Sequence, residues 1–276
     1  MIEQIPIARI DSYREHFPGP HLALVLASIA AGNTGGLLWQ IAQPGELPLV
    51  LLWDKGNRVL YFAGAPRSPA ALGELANLAA TRIRPQALAE RTPYFKARAL
   101  DPRLEPHLPQ ILDECELRAY PTRFYVDGGA PQLPTLPSTV AELALASIDR
   151  KLLEHENLAN RDQVLAEIRW MWPSEERFYA QGFGIVAIAR SQIVCWCTAE
   201  YVGPARCGIG ITTVPAYERQ GIATATAARF VLEARGRGLT PCWECGQANR
   251  ASLRVAEKLG FACQAEEHYW IGSFAL

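Results

Sequence analysis

No stretch of this chain approaches the ~18 consecutive apolar residues of a membrane-spanning helix, so no membrane partner is expected. The longest early apolar run, residues 22–31, has no basic leader and follows Pro18-Gly19-Pro20, so it does not read as a signal peptide. Surplus charge is missing too: 27 Lys and Arg stand against 28 Asp and Glu, with a pI near 6.5. That balance leaves no electrostatic footprint for nucleic acid, and any anionic ligand has to be held by local geometry. An even cysteine count is also lacking. Seven cysteines argue against a complete disulfide framework and for reduced thiols in a cytoplasmic protein.

What is present suffices for a normal core. The chain is 49% hydrophobic, and 276 residues is long for one small domain, so two compact units are expected. The pairs Cys195/Cys197 and Cys242/Cys245 raise the question of a zinc site. Both lie in strand-like, Trp-containing runs without turn chemistry, which suits buried thiols better, and no metal is expected.

Residues 129–137, rich in Gly and Pro, form the candidate linker. It separates an N-terminal mixed α/β domain (1–128) from a C-terminal domain (138–276). Residues 37–42, 48–53 and 58–63 read as short strands, with Asp54-Lys55-Gly56-Asn57 as a hairpin connection. Residues 70–81 have helical periodicity, and 118–126 return to a strand pattern. Trp39, Trp53 and Tyr61 carry strand spacing that suits a core. His21 and His107 are isolated, and the first half holds no catalytic motif. Beyond the linker, 138–150 and 162–170 read as amphipathic helices, the first opened by an imperfect capping box at Ser138. Strands are expected at 184–190, 192–197 and 206–213.

The last of these strands runs through Val214-Pro215-Ala216-Tyr217-Glu218-Arg219-Gln220-Gly221 into a helix over 222–235. Ile222, Thr226 and Phe230 repeat every four residues, as do Ala223, Ala227 and Val231, and Gly236 and Gly238 supply the stop. The first amides of a helix have no intrahelical partner and carry partial positive charge. A glycine turn before them lets a ligand approach closely, and small residues at 221, 223 and 224 leave room. Such a loop can hold a pyrophosphate without net positive charge, although it also fits an ordinary strand–turn–helix connection.

The segment resembles motif A of the GNAT superfamily, whose loop reads Gln/Arg-x-x-Gly-x-Gly/Ala; Gly221 and Ala223 match, after Pro215 and Tyr217. Glu218 stands where Gln or Arg is usual, so Glu218 is expected to point away and Arg219 to supply the favourable charge. Asn249-Arg250-Ala251-Ser252-Leu253 and then Glu257-Lys258-Leu259-Gly260-Phe261 are similar to the family's closing Asn-x-x-Ser helix and Leu-Gly-Phe turn. The pattern from Ile148-Asp149 through Gly182-Phe183-Gly184 and Trp196-Cys197 resembles a two-domain bacterial subfamily that includes zwittermicin A resistance acetyltransferases. The likeness covers about residues 140–272 well and the first half loosely.

This resemblance implies an α/β (α+β) protein. A GNAT fold, with a mixed, mostly antiparallel sheet flanked by helices, occupies the C-terminal half. The smaller N-terminal domain is then either a degenerate GNAT-like partner or an independent cover for the acceptor site. The implied activity is transfer of an acetyl group from acetyl-CoA, as co-substrate, to an amine of a small molecule. Implied cofactor contacts are Ile211, Thr212 and Thr213 on the strand, Arg219, Gln220, Gly221, Ile222, Ala223 and Thr224 in the loop, and Asn249, which also suits a helix N-cap.

The chemistry adds requirements. An alkyl ammonium has a pKa near 10, so about one in a thousand is neutral at pH 7, a handicap of roughly 4 kcal/mol. Glu244 or Glu200 is the candidate base. Where the family often places a Tyr acid, this chain has Ala256; Ser252, Tyr269 or water are the substitutes. The alternatives are a catalytically silent acyl-CoA-binding or sensing protein and a zinc-stabilised interaction protein.

Overall fold

The computed structural model describes residues 2–43, 45–112, 115–129, 140 and 142–274. The expected linker lies outside the described residues except for Gly129, as does the capping position Ser138. In chain order the elements begin with β1 (Ile2–Ile5), α1 (Pro20–Ala30), β2 (Gly36–Gln43), β3 (Glu46–Asp54) and β4 (Val59–Ala63). α2 (Pro69–Leu78), α3 (Arg84–Ala89), β5 (Tyr94–Ala99), α4 (Leu108–Ile111) and β6 (Arg118–Asp127) follow. Then come β7 (Ala144–Ser147), α5 (Arg150–Leu153), α6 (Arg161–Met171), α7 (Glu175–Gln181), β8 (Gly184–Ala189) and β9 (Gln192–Val202). The chain closes with β10 (Arg206–Thr213), α8 (Ile222–Gly236), β11 (Thr240–Gly246), α9 (Arg250–Lys258) and β12 (Phe261–Ser273).

Contacts divide the chain into one unit of Met1–Ala30, Gly35–Pro121 and His268–Leu276, and a second of Ala31–Thr34 and Thr122–Glu267. The division therefore falls at Pro121 and again inside β12, not at residue 128. In the first unit β1, β2, β3 and β4 form an antiparallel meander, β5 joins β4 in parallel, and the end of β12 pairs antiparallel with β5. Asp54 turns the β3–β4 hairpin by accepting from the Gly56 amide at 2.9 Å, the side-chain turn that Asp favours. Trp39 and Trp53 are core residues between the sheet and α2 (with Leu60, Phe62, Leu75 and Leu78), and Tyr61 is fully buried.

The second unit repeats this plan. β7, β8, β9 and β10 form the meander, β11 joins β10 in parallel after the α8 crossover, and β6 pairs antiparallel with β11. This is the mixed, mostly antiparallel sheet with flanking helices that the sequence led us to expect. α8 buries Ile222, Thr226, Phe230 and Val231 because an apolar stripe at 3.6-residue spacing must face the sheet. Phe230 stacks on Phe183 with ring centroids 4.7 Å apart. The far end of α8 is tied to β6 by Arg235, which donates to both Asp127 oxygens at 2.7 and 2.6 Å.

Two expectations need correction. The helix expected over 138–150 is, where described, an edge strand: residues 144–147 pair with β8 from Ala144↔Ile188 to Ser147↔Ile185. Helix begins only at Arg150, where Asp149 caps it by accepting from the Leu152 amide at 2.7 Å. Ala and Leu favour helix locally, but pairing satisfies backbone groups that β8 would otherwise leave at an open edge, and that tertiary context overrides propensity. The helix over 70–81 stops at Leu78, where a five-residue π-turn (Ala79–Ile83) links it to α3.

The cysteine pairs lie on β9 and β11 with β10 between them, Cys195 opposite Thr213 and Cys242 opposite Gly208. Among the described residues no group of three or more His, Cys, Asp or Glu is placed to hold a metal, and no helix is long and apolar enough to cross a membrane. Burial pushes the Cys195 thiol up to about 11 from 9.0, and raises Cys197 and Cys207 as well. A folded-state value above the unfolded one means stability present below pH 9.0 and lost as the pH climbs towards 11. Chemical denaturation at stepped pH is expected to show that decline; a flat profile between pH 9 and 11 would contradict it.

Candidate active site

The functional geometry begins with two parallel strands that part. β10 and β11 pair through Arg206↔Thr240, Cys207↔Pro241 and Gly208↔Cys242, and among the described residues their pairing ends there. Beyond it, β10 follows β9 up to Thr213↔Cys195, whereas β11 follows β6 up to Gly246↔Thr122. Residues 209–213 thus turn one backbone edge towards a gap in the sheet. In the first unit the matching pair stays closed: β4 and β5 pair to Phe62↔Ala99, and the Leu100 amide still donates to Phe62 at 2.7 Å.

On one face of β10 lies a cleft of about 510 Å³. It is lined by Ile211 and Thr213 from β10, Tyr217, Glu218, Arg219 and Gly221 from the loop, Ile222, Ala223 and Thr224 from α8, and Asn249, Ala251, Ser252, Arg254, Val255 and Lys258 around α9. Gly221 is the N-cap of α8 at φ +82°, a backbone region that glycine enters without strain. It makes no side-chain cap, so the first amides of this 15-residue helix are left for a partner outside it. Arg219, itself at φ +59°, brings a cation to the same cleft, and Arg254 and Lys258, one turn apart on α9, add two more. A pyrophosphate fits this donor set: uncapped amides, three cations and no bulky side chain at 221 or 223.

Eight of the implied cofactor residues come together here: Ile211, Thr213, Arg219, Gly221, Ile222, Ala223, Thr224 and Asn249. Two do not line the cleft. Gln220 folds back to donate to the Ala216 carbonyl at 3.1 Å, and the Thr212 hydroxyl points to the other face of β10. Glu218 was expected to point away, yet it lines the cleft, because the extended backbone after the Pro215–Tyr217 turn carries it along the loop. Asn249 caps α9 by accepting from the Ser252 amide at 3.1 Å, which leaves its NH₂ group as the donor on offer. Ser252 lines the cleft with its hydroxyl accepting from the Trp243 indole at 2.9 Å.

The opposite face of β10 is bare of side chains at Gly208 and Gly210, and carboxylates from neighbouring elements fill the space. The β9–β10 register slips between Cys207↔Val202 and Ile209↔Ala199, so Glu200 and Tyr201 together oppose Gly208. Such a bulge re-aims side chains. A Cβ placed on Gly210 would lie 2.7 Å from Glu200 Oε1 and 3.2 Å from Glu167 Oε1. The sequence offered no pointer to Glu167. It sits on α6 and accepts from Trp196 Nε1 at 2.7 Å, Thr198 Oγ1 at 2.8 Å and Thr212 Oγ1 at 3.2 Å, partners 29 to 45 residues away along the chain. Glu244 is half-buried on β11 opposite Phe124 and does not line the cleft. Tyr269, a candidate acid, is fully buried in the first unit with its hydroxyl 3.3 Å from that of Tyr61.

Comparison with known proteins decides the family. The family profile described as GNAT acetyltransferase matches residues 98–269. The chain belongs to that family. The uncharacterized N-acetyltransferase YdfB of Bacillus subtilis (strain 168) is 31% identical over 124 residues, which are 45% of this chain and 46% of that protein. The match thus spans under half the length of this curated relative. A GCN5-related N-acetyltransferase-like protein from Streptococcus suis 89/1591 shares the fold over 95% of this chain and 97% of its own, with a TM-score of 0.67 at 17% identity. A tandem GNAT protein from the clavulanic acid biosynthesis pathway does so over 99% and 98%, with a TM-score of 0.57 at 12% identity. Against this GNAT frame, the sequence missed Glu167, Arg254 and Lys258. The i, i+4 spacing of the last two, just after the Asn-x-x-Ser run, was the signal available.

Proposed function

We propose that this GNAT protein transfers the acetyl group of acetyl-CoA to the amine of a small molecule, with the cofactor held in the cleft at Gly221. The uncapped N-terminus of α8 opening into that cleft, beside the parting of β10 and β11, carries the reading. The amides of Ile222, Ala223 and Thr224 together with Arg219 hold the pyrophosphate, and Arg254 and Lys258 reach the remaining phosphate. When bound, acetyl-CoA supplies a thioester as electrophile. The free edge of residues 211–213 offers backbone amides to developing negative charge. Glu200, over Gly210 at the gap, takes the proton of the acceptor ammonium directly or through water; Glu244 is the other candidate. Ser252, which lines the cleft and accepts from Trp243, is the proton source for the departing thiolate in this reading. The N–C bond forms as the C–S bond breaks, and the amine's proton balances the thiol released.

The first unit supports a degenerate GNAT-like partner, since it repeats the strand order and the parallel crossover. Its equivalent helix is sealed: Ser68 caps α2 by accepting from the Ala71 amide at 3.2 Å, and Pro69 removes another donor. One CoA per chain is therefore expected. The narrower resemblance to zwittermicin A resistance acetyltransferases favours an antibiotic or metabolite amine as acceptor, in the cytoplasm. One observation favours the second reading, a silent acyl-CoA binder: buried Ala256 brings no hydroxyl where relatives often have Tyr. Calorimetry with CoA, followed by thiol release from acetyl-CoA across an amine panel, separates the two. Binding at one per chain with release for at least one amine is the expected result. Binding without release for any amine overturns the enzymatic reading, and no binding overturns both.

A further inference from the structure

Glu167 has no counterpart among the residues assigned so far, yet it joins three elements around the point where catalysis is placed. Trp196 and Thr198 lie four and two residues before Glu200 on one face of β9, and Thr212 lies two residues after Gly210 on β10. All three donate to the Glu167 carboxylate, Thr198 to Oε1 and the other two to Oε2. Three donors fix its orientation, and its Oε1 then stands beside the same empty Cβ position over Gly210 that Glu200 occupies. The strand contributes no side chain there, so Glu200 has Glu167 as one wall and the bulge opposite Gly208 as its base.

We infer that Glu167 is a positioning residue: its anchored carboxylate holds Glu200 over Gly210, facing the gap between β10 and β11, so that the acceptor amine enters on the face of β10 opposite α8. This rests on the proposed acetyl transfer and on Glu200 as its base. A carboxylate misplaced by about 1 Å costs on the order of a hundredfold in rate.

The test joins kinetics to structure. Wild type, Glu167→Gln, Glu200→Gln and the double variant are compared for kcat, for KM towards acetyl-CoA and for thermal midpoint. Each single variant is expected to lower kcat at least thirtyfold with the KM for acetyl-CoA unchanged. The double variant should be no slower than Glu200→Gln alone, because Glu167 acts only through Glu200. A merely structural Glu167 would lower the thermal midpoint, and its loss would multiply with that of Glu200→Gln; either result overturns the inference. A crystal structure of Glu167→Gln needs no turnover: displacement of the Glu200 carboxylate from Gly210 is expected, and an unmoved carboxylate also overturns it. Wild type that binds CoA without turning over defeats the reading of the activity, while the crystal structure still decides the role of Glu167.

Discussion

Replacing Ala223 by Asp is expected to weaken CoA binding about a hundredfold while the thermal midpoint holds or rises. Ala223 is the second residue of α8 and lines the cleft. An acidic side chain in the first turn interacts favourably with the helix dipole, by roughly 0.3–1 kcal/mol, so the fold does not suffer. The same charge faces any phosphate at the uncapped amides. Two like charges ~5 Å apart at an effective dielectric of ~20 repel by about 3 kcal/mol, which is roughly a hundredfold in affinity. Ala223→Asn fills the same space without the charge and should lose much less. Calorimetric titration at low and high salt reads both, and the gap between Asp and Asn should narrow with salt. Equal affinities for wild type and the Asp variant would remove the phosphate from this helix end.

Phe230→Ala is expected to cost the second unit about 3–5 kcal/mol, the range for deleting a buried aromatic side chain. Phe230 is fully buried on α8, and its stack on Phe183 adds to plain burial. Phe230→Leu keeps most of the volume and should cost about 1.5 kcal/mol or less. Denaturant titration followed by tryptophan fluorescence measures both; Trp196 and Trp243 report from the same unit. A loss below about 1 kcal/mol for the Ala variant would mean that α8 is not held to the sheet through this ring.

Much of the cofactor cleft was legible in the sequence because its signals are local. A helical stripe, a glycine at the positive-φ N-cap position and small residues after it all lie within a few residues of one another. The Asn249 cap is local as well. The edge strand at residues 144–147 was misread for the opposite reason: the local preference of Ala-Leu-Ala-Ser is for helix, and pairing with β8 overrode it. Likewise β1 and β5 went unread, since their strand character depends on neighbours far along the chain.

By itself the sequence determined the loop and helix that open at Gly221, since backbone geometry and apolar periodicity are written over consecutive residues. Only the tertiary structure decided what stands on the other face of β10. Glu167 meets Trp196, Thr198 and Thr212 there because α6 packs on β9, and Glu200 reaches Gly210 because the register slips by one residue. Glu218 was likewise placed in the cleft by the path of the loop, not by its identity. No local pattern encodes such meetings, because they arise from packing and register, which are settled only when the whole sheet forms.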